Sequence, residues 1–120
     1  MNTQELFRAI NKCVDELDFV SARKYMEQNI ELLKKSKHRL HRNAQELFEF
    51  VLNKGDDTLT PTDLNAIHVI NSYATNFNIH GLKLIVKDKA ALVSRKETLS
   101  YLNEDAKALL ESMHIVSLNA

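Results

Sequence analysis

The two halves of the chain nearly repeat one another, and this restricts the fold more than any other feature. Residues 5–17 can be laid over residues 65–77 without a gap, and apolar side chains then coincide at seven positions. The same register continues across the next turn. A fixed period of this kind is typical of helical-repeat proteins, in which each unit buries its apolar face against a neighbouring unit. Within residues 5–17 two aligned positions are identical: Ile10/Ile70 and Asn11/Asn71.

The composition favours helices throughout the chain. Only two glycines and one proline occur among 120 residues, and β-branched residues do not form alternating runs. Leu, Ala, Glu and Lys, which are good helix formers, are abundant. We therefore predict one all-α domain over residues 1–120, with about six helices and no sheet. Its two pseudo-repeat units should span about 3–54 and 61–113.

Capping residues and helix breakers locate the ends of the predicted helices. Asn2 and Asp18 have short polar side chains that accept hydrogen bonds from a first helical turn. Thr60 and Pro61 should open another helix, since proline loses no hydrogen bond at the first helical position. The segment Lys54-Gly55-Asp56-Asp57 should end the third helix. The predicted helices run to about Leu17, from Phe19 to Leu33, from His38 to Asn53, from Pro61 to Phe77, from Ile79 to Val93, and from Glu97 to Met113, the last either continuous or broken near Asn103.

The helical period of the apolar residues predicts the core. The sixth predicted helix aligns with the third after a one-residue slip, which pairs Leu47 with Ala106 and Val51 with Leu110. The short tail from His114 should fray. The predicted core consists of Leu6, Phe7, Ile10, Val14, Phe19, Ala22, Met26, Leu47, Phe48, Val51, Ile67, Ile70, Tyr73, Leu82, Ile85, Val86, Leu99, Leu102 and Leu109.

Residues of the first hairpin carry a family resemblance, namely Leu6, Ala9, Cys13, Asp18-Phe19-Val20-Ser21-Ala22, Tyr25 and Met26. With them, the stretch from Thr3 to Leu33 resembles a tetratricopeptide repeat, whose turn commonly reads acidic-aromatic-x-x-Ala. In the second copy Leu82 stands in place of this alanine. The usual repeat is roughly 34 residues, and the spacing here is longer because an extra helix intervenes. The resemblance implies two such helical hairpins, each followed by an extra helix.

The resemblance also implies where a partner would bind. In this family, the first helix of each hairpin lines a concave groove that holds a peptide. An asparagine there often hydrogen-bonds the peptide backbone or its terminal carboxylate. Asn11 and Asn71 fall at that position, and we predict a partner-binding site at Asn11, Asn71 and Asp15. The alternative is that both asparagines are solvent-facing polar residues between apolar ones.

The strongest local charge signal is the basic segment 34–42, Lys-Lys-Ser-Lys-His-Arg-Leu-His-Arg. A density of five fixed positive charges could bind phosphate groups or an acidic partner. The segment has no aromatic residue to stack on bases, and Lys and Arg also interact favourably with the dipole at a helix C-terminus. A solvated helix end is therefore the alternative interpretation. The candidate patch consists of Lys34, Lys35, Lys37, Arg39 and Arg42.

No sequence pattern predicts catalysis, a metal site or a cofactor. His38 and His41 could share a helix face, but a metal would need further ligands, and none is obviously convergent. The chain has no P-loop, no glycine-rich dinucleotide turn and no nucleophile elbow. Cys13 is the single cysteine and lies on an apolar helix face, where a buried small hydrophobic side chain is the expected role.

Net charge and hydropathy limit the expected partners. The 16 basic and 16 acidic residues balance, so no global attraction to nucleic acid or to a membrane is expected. No stretch reaches the roughly 18 apolar residues of a membrane span, and the N-terminus lacks a signal-peptide pattern. A single cysteine suits a reducing cytosol, so we predict a cytoplasmic protein without a membrane partner.

These observations predict a non-enzymatic adaptor or regulator that binds another protein or peptide through a helical-repeat surface. The alternative is a small nucleic-acid-associated factor that uses residues 34–42. A homodimer is a further hypothesis, because two repeats are few for an independent array. It also follows from Phe7, Phe48 and Phe50, which cannot all point the same way on ideal helices.

Overall fold

The computed structural model describes residues 2–53 and 58–117. Within these residues every regular element is helical and no strand occurs, so the predicted all-α class is confirmed. A short 3₁₀ turn lies at Lys37–Arg39. The α-helices are α1 (Thr3–Asp15), α2 (Phe19–Gln28), α3 (Ile30–Lys35), α4 (Arg42–Asn53), α5 (Pro61–Thr75), α6 (Ile79–Asp88), α7 (Ala90–Val93), α8 (Lys96–Leu99) and α9 (Glu104–Ser112).

The predicted caps open the helices of both hairpins. The side chain of Asn2 accepts a hydrogen bond from the Glu5 amide at 2.8 Å at the start of α1. Thr60 and Asp63 exchange reciprocal hydrogen bonds of 3.1 and 3.0 Å at the start of α5. Each bond satisfies an amide that has no partner inside the helix. Asp18 and Asn78, which are aligned in the repeat, cap α2 and α6 in the same way.

The second helix of each hairpin is broken, which corrects the two continuous helices predicted over 19–33 and 79–93. The breaks lie at Asn29 (φ −136°, ψ 34°) and Lys89 (φ −119°, ψ 38°), which are also aligned in the repeat. At the first break, the Asn29 side chain donates to the Tyr25 carbonyl at 2.8 Å. Asparagine side chains that bond nearby backbone compete with helix continuation, which explains this break but not the one at Lys89.

The third predicted helix begins later than expected. It starts at Arg42 rather than His38, because Lys37–Arg39 form the 3₁₀ turn and Leu40 is extended (ψ 143°). The extended backbone turns the Leu40 side chain into the core, where it is buried. The predicted stop at Lys54-Gly55-Asp56-Asp57 lies outside the described residues. Downstream, the helix predicted over 97–113 is broken near Asn103, whose side chain caps α9 by accepting from the Ala106 amide at 2.8 Å.

Helices α4 and α9 follow the two hairpins. They align with each other at a different offset in the sequence from the one that aligns the hairpins. Asn11 donates to the carbonyl of Arg39, and Asn71 makes the same contact with Tyr101, so the second unit has two more residues between these contacting positions. The alignment of the third and sixth helices predicted from sequence is therefore wrong in register. In the observed register three buried pairs coincide: Leu40/Leu102, Ala44/Ala106 and Phe48/Leu110.

The core lies between the two hairpins and is crossed by α4, which packs against α1, α2 and α7. Most of the predicted core residues are buried, while four are half-buried against its edge: Tyr73, Ile85, Leu99 and Leu109. The predicted list omits buried alanines, whose small side chains give little periodic signal, and it also omits several larger buried residues. The buried residues it missed include Leu17, Leu33, Leu40, Ala44, Ala66, Ala74, Ala90, Leu92, Val93, Thr98, Ala106, Leu110, Ile115 and Val116.

The tail after α9 packs against the first hairpin, so the expectation that it frays from His114 is wrong. Ile115 and Val116 are buried. The Val20 amide donates to the carbonyl of His114 at 3.3 Å. Arg23 donates from one guanidinium nitrogen to the Ile115 carbonyl (3.4 Å) and to Ser94 Oγ (2.7 Å). These contacts join the end of the second unit to the first hairpin.

Candidate functional site

Asn11 connects α1 to the turn that precedes α4. Its Oδ1 accepts a hydrogen bond from the His41 amide at 2.8 Å, and its Nδ2 donates to the Arg39 carbonyl at 3.3 Å. The Asn11 side chain thus imitates a neighbouring backbone and holds the turn against α1. One N–H and one oxygen lone pair of the carboxamide remain for other partners.

Asn71 makes the corresponding contacts in the second unit. Its Oδ1 accepts from the Asn103 amide at 2.9 Å, and its Nδ2 donates to the Tyr101 carbonyl at 2.9 Å. Asn103 adds a bond of its own from Nδ2 to Thr75 Oγ1 at 3.1 Å. Asn11 and Asn71 therefore both have a structural role within the chain. Binding of a partner by their remaining polar groups stays a prediction.

A groove of about 550 Å³ lies between α1 and the turn at residues 39–41. It brings together three of the site residues predicted from sequence, Asn11, Asp15 and Arg39, although the last is far from the others in the chain. Asn71 does not line this groove. The lining residues are Gln4, Phe7, Arg8, Asn11, Lys12, Asp15, Glu16, Arg39 and His41.

Arg39 forms one wall of the groove and lies over an aromatic ring. Its guanidinium carbon lies 4.7 Å from the centre of the Phe7 ring, which is itself buried. Such a cation–π contact is worth about 0.5–1 kcal/mol at an exposed site. Stacking on the ring leaves the planar fork of N–H donors free at its edges, where it can bind a carboxylate or phosphate.

Arg8 and Lys12 supply two further positive charges from α1. They are four residues apart and so lie on the same face of the helix. Neither residue was predicted as part of the site, because both stand outside the basic segment. The feature of the sequence that could have identified them is their four-residue spacing on the helix that also carries Asn11.

The other end of the groove is acidic. Asp15 and Glu16 lie at the C-terminal end of α1, and both line the groove. Asp15 Oδ2 is 3.5 Å from His41 Nδ1, whereas the Glu16 side chain is exposed. The groove therefore changes sign along its length, from positive at Arg8 to negative at Glu16.

The rest of the basic segment does not converge on one site. Three of its cations contact glutamates: Lys34 with Glu31 at 3.9 Å, Lys37 with Glu49 at 3.0 Å, and Arg42 with Glu46 at 3.7 Å. Lys35 is exposed and has no ion-pair partner in the described part of the chain. Exposed pairs of this kind are weak, so they do not block an anion, but they lower the local excess of positive charge.

A second cavity of about 410 Å³ lies against α5 and α6. Its walls include Tyr73, Gly81 and Leu84 from these helices, and Asn43 closes one side. Gly81 allows the close approach of the Tyr73 ring, since an added Cβ would lie 2.9 Å from Tyr73 Cε1. None of the predicted site residues lines this cavity.

Cys13 and the histidines show no arrangement that indicates chemistry. Cys13 is half-buried, and burial, followed by the nearby carboxylates of Asp18 and Glu16, raises the pKa of its thiol. A raised pKa leaves less of the nucleophilic thiolate. Within residues 2–53 and 58–117, no three His, Cys, Asp or Glu side chains are grouped as metal ligands would be.

Comparisons with known proteins assign no family to the chain: no model of a protein family, no curated protein and no solved structure matches it. Along the described residues, none of the helices has the length and apolar character required to cross a membrane.

Proposed function

We propose that this protein is a non-enzymatic adaptor or regulator, of a tetratricopeptide-like kind, that binds a segment of another protein in the groove on α1. The observation that supports the proposal is the convergence of Asn11, Asp15 and Arg39 on that groove. An open groove that is lined by polar and charged side chains over a buried aromatic ring suits a peptide, which presents both backbone and side-chain polar groups.

The nucleic-acid alternative has less support from the observed contacts. It relies on the five cations of residues 34–42 acting together on phosphates, whereas three of them contact glutamates and Arg39 lies over Phe7. It becomes the competing outcome of the experiment that tests the proposal.

The test is affinity capture from the native cell, followed by mass spectrometry, with and without nuclease. We compare the unmodified protein with Gln4→Trp, which places a large uncharged side chain in the groove. Gln28→Trp is the matched control, because Gln28 is an exposed helical residue away from the groove. We expect a nuclease-resistant partner that is retained by Gln28→Trp and lost with Gln4→Trp. Recovery of nucleic acid alone, or a partner that both variants retain, would contradict the proposal.

A further inference from the structure

We infer that the segment bound in the α1 groove is acidic at one end and basic at the other, with its carboxylates at Arg8, Lys12 and Arg39. The inference rests on the proposed function and names the chemistry of the partner. This partner is a peptide segment of another protein that carries glutamates or aspartates a few residues away from a lysine or arginine.

The positive end of the groove has cations on both walls. Arg8 and Lys12 are one turn apart on α1, and Arg39 joins them from the turn before α4. The Arg39 guanidinium carbon lies 4.7 Å from the centre of the Phe7 ring. Carboxylates pair with guanidinium groups through two parallel hydrogen bonds, and the edge of the Arg39 guanidinium offers such a pair of donors.

These three cations have no carboxylate partner among the described residues, in contrast to their neighbours. Lys37, for example, pairs with Glu49 at 3.0 Å just outside the groove. Arg8 and Lys12 also repel each other, because like charges four residues apart on a helix are destabilising. An anionic side chain between the walls would relieve this repulsion and would supply a countercharge to Arg8 and Arg39, since Lys12 already stands one turn before Asp15 and Glu16.

The acidic end sets the second requirement on the partner. Asp15 lies seven residues beyond Arg8 on α1, which corresponds to about 10 Å along a helix. An extended peptide covers this distance in about three residues. A basic side chain that follows the carboxylates at this spacing would reach Asp15 and Glu16, which line the same groove.

The change in the sign of the charge along the groove is also the reason to prefer a peptide over a nucleic acid as its occupant. A nucleic-acid strand carries a phosphate at every nucleotide, so a strand laid along the groove would bring phosphates against Asp15 and Glu16. A peptide can place opposite charges at the two ends.

The inference is tested with a defined probe, a fluorescein-labelled peptide of three glutamates, two alanines and two lysines, by fluorescence anisotropy. We expect saturable binding that weakens at least tenfold in Arg8→Ala/Arg39→Ala. Arg8→Ala/Lys12→Ala should show the same loss without disturbing the turn at residues 39–41. The matched control, Lys24→Ala/Lys83→Ala, removes the same charge from exposed positions outside the groove and should change the affinity less than twofold.

Three results with the peptide and oligonucleotide probes would overturn the inference. One is the absence of saturable binding by the unmodified protein. Another is an equal loss in the Lys24→Ala/Lys83→Ala control, which would indicate attraction to net charge alone. The third is tighter binding of a twelve-nucleotide oligothymidylate that is lost in the same groove variants. A captured partner that is lost with Gln4→Trp but retained by both groove charge variants would leave the proposed function standing and remove only the inference.

Discussion

At the scale of single residues, Asn11 and Asn71 show how one side chain can make the pair of hydrogen bonds that a backbone peptide unit makes. Asn11 and Asn71 each hold the turn before the last helix of their unit with one donated and one accepted hydrogen bond. A carboxamide has the same donor and acceptor as a peptide unit, which explains why asparagine suits this position. An ionised aspartate has no donor and could not make both bonds.

Asn71→Ala should therefore destabilise the protein without touching the core. Two hydrogen bonds of 2.9 Å are lost, and at about 0.5–1.5 kcal/mol each the free energy of unfolding should fall by about 1–3 kcal/mol. Urea denaturation measures the change. Asn65→Ala, at an exposed position on the same helix, should stay within about 0.5 kcal/mol. Equal effects of the two substitutions would show that the Asn71 contacts contribute nothing.

Gly81→Ala should destabilise α6 although alanine is the better helix former. The new Cβ would lie 2.9 Å from Tyr73 Cε1 and 3.1 Å from Asn78 Nδ2, so the ring must move. We expect a loss of about 1–2 kcal/mol, as for other overpacked sites. In a Tyr73→Ala background the same change should cost clearly less, because the contact with the ring is gone while the contact with Asn78 Nδ2 and the gain in helix propensity remain. A double-mutant cycle by urea denaturation measures this coupling, and its absence would contradict the close packing.

At the scale of elements, α4 is the helix through which the two units meet. It packs against α1 and α2 of the first unit and against α7 of the second. Its residue Phe48 is completely buried, whereas Phe50 is only half-buried. The apolar face of α4 thus belongs to the core of one chain, and solvent meets the opposite face.

Phe48→Ala should cost about 3–5 kcal/mol, because the cavity it leaves lies between packed helices that cannot close on it. Phe50→Ala is the matched control on the same helix and should cost clearly less, since its ring is only half-buried. Thermal or urea denaturation gives both values. A loss below about 1 kcal/mol for Phe48→Ala would mean that α4 does not carry the contact between the units.

At the scale of the whole molecule, the C-terminal tail closes the fold back onto its beginning. Ile115 and Val116 are buried, and His114 contacts both the carboxylate of Asp18 and the amide of Val20. Because the first hairpin and the tail share one core, they should unfold together in a single transition.

Ile115→Ala should cost about 2–5 kcal/mol, because the truncated side chain leaves a cavity at a completely buried position. Ser117→Ala, at an exposed position of the same tail, should stay within about 0.5 kcal/mol. Hydrogen exchange provides a local readout, since the Val20 amide should lose protection in Ile115→Ala. Unchanged protection at Val20 would show that the tail does not stabilise the first hairpin.

Self-association remains a prediction at this scale, although the positions of the phenylalanine rings no longer support it. Phe7 and Phe48 are buried within one chain and Phe50 is half-buried against the same core, so these rings do not call for a second protomer. The large exposed apolar side chains include Val69, Phe77, Leu84 and Tyr101. We expect a homodimer at high micromolar concentration in sedimentation equilibrium. A monomer throughout that range would remove the prediction.

The candidate site could be predicted only in part. The family resemblance predicts Asn11 and the basic segment predicts Arg39, and both line one groove with Asp15. Arg8 and Lys12 were not predicted, because their meaning depends on Arg39, which is distant from both in the chain. No local pattern indicates which of the nearby Lys and Arg side chains will form an ion pair with a glutamate and which will line a groove.

The sequence by itself determined the helical class and most helix starts. Period and composition are local properties, and caps such as Asn2, Thr60 and Asn103 bond amides only three residues away, so no distant contact is needed to establish them. Tertiary structure decided the late start of α4, the register of the extra helices and the burial of the tail. Those features depend on hydrogen bonds and apolar contacts between residues far apart in the chain. Their free energy is gained only when the helices have packed.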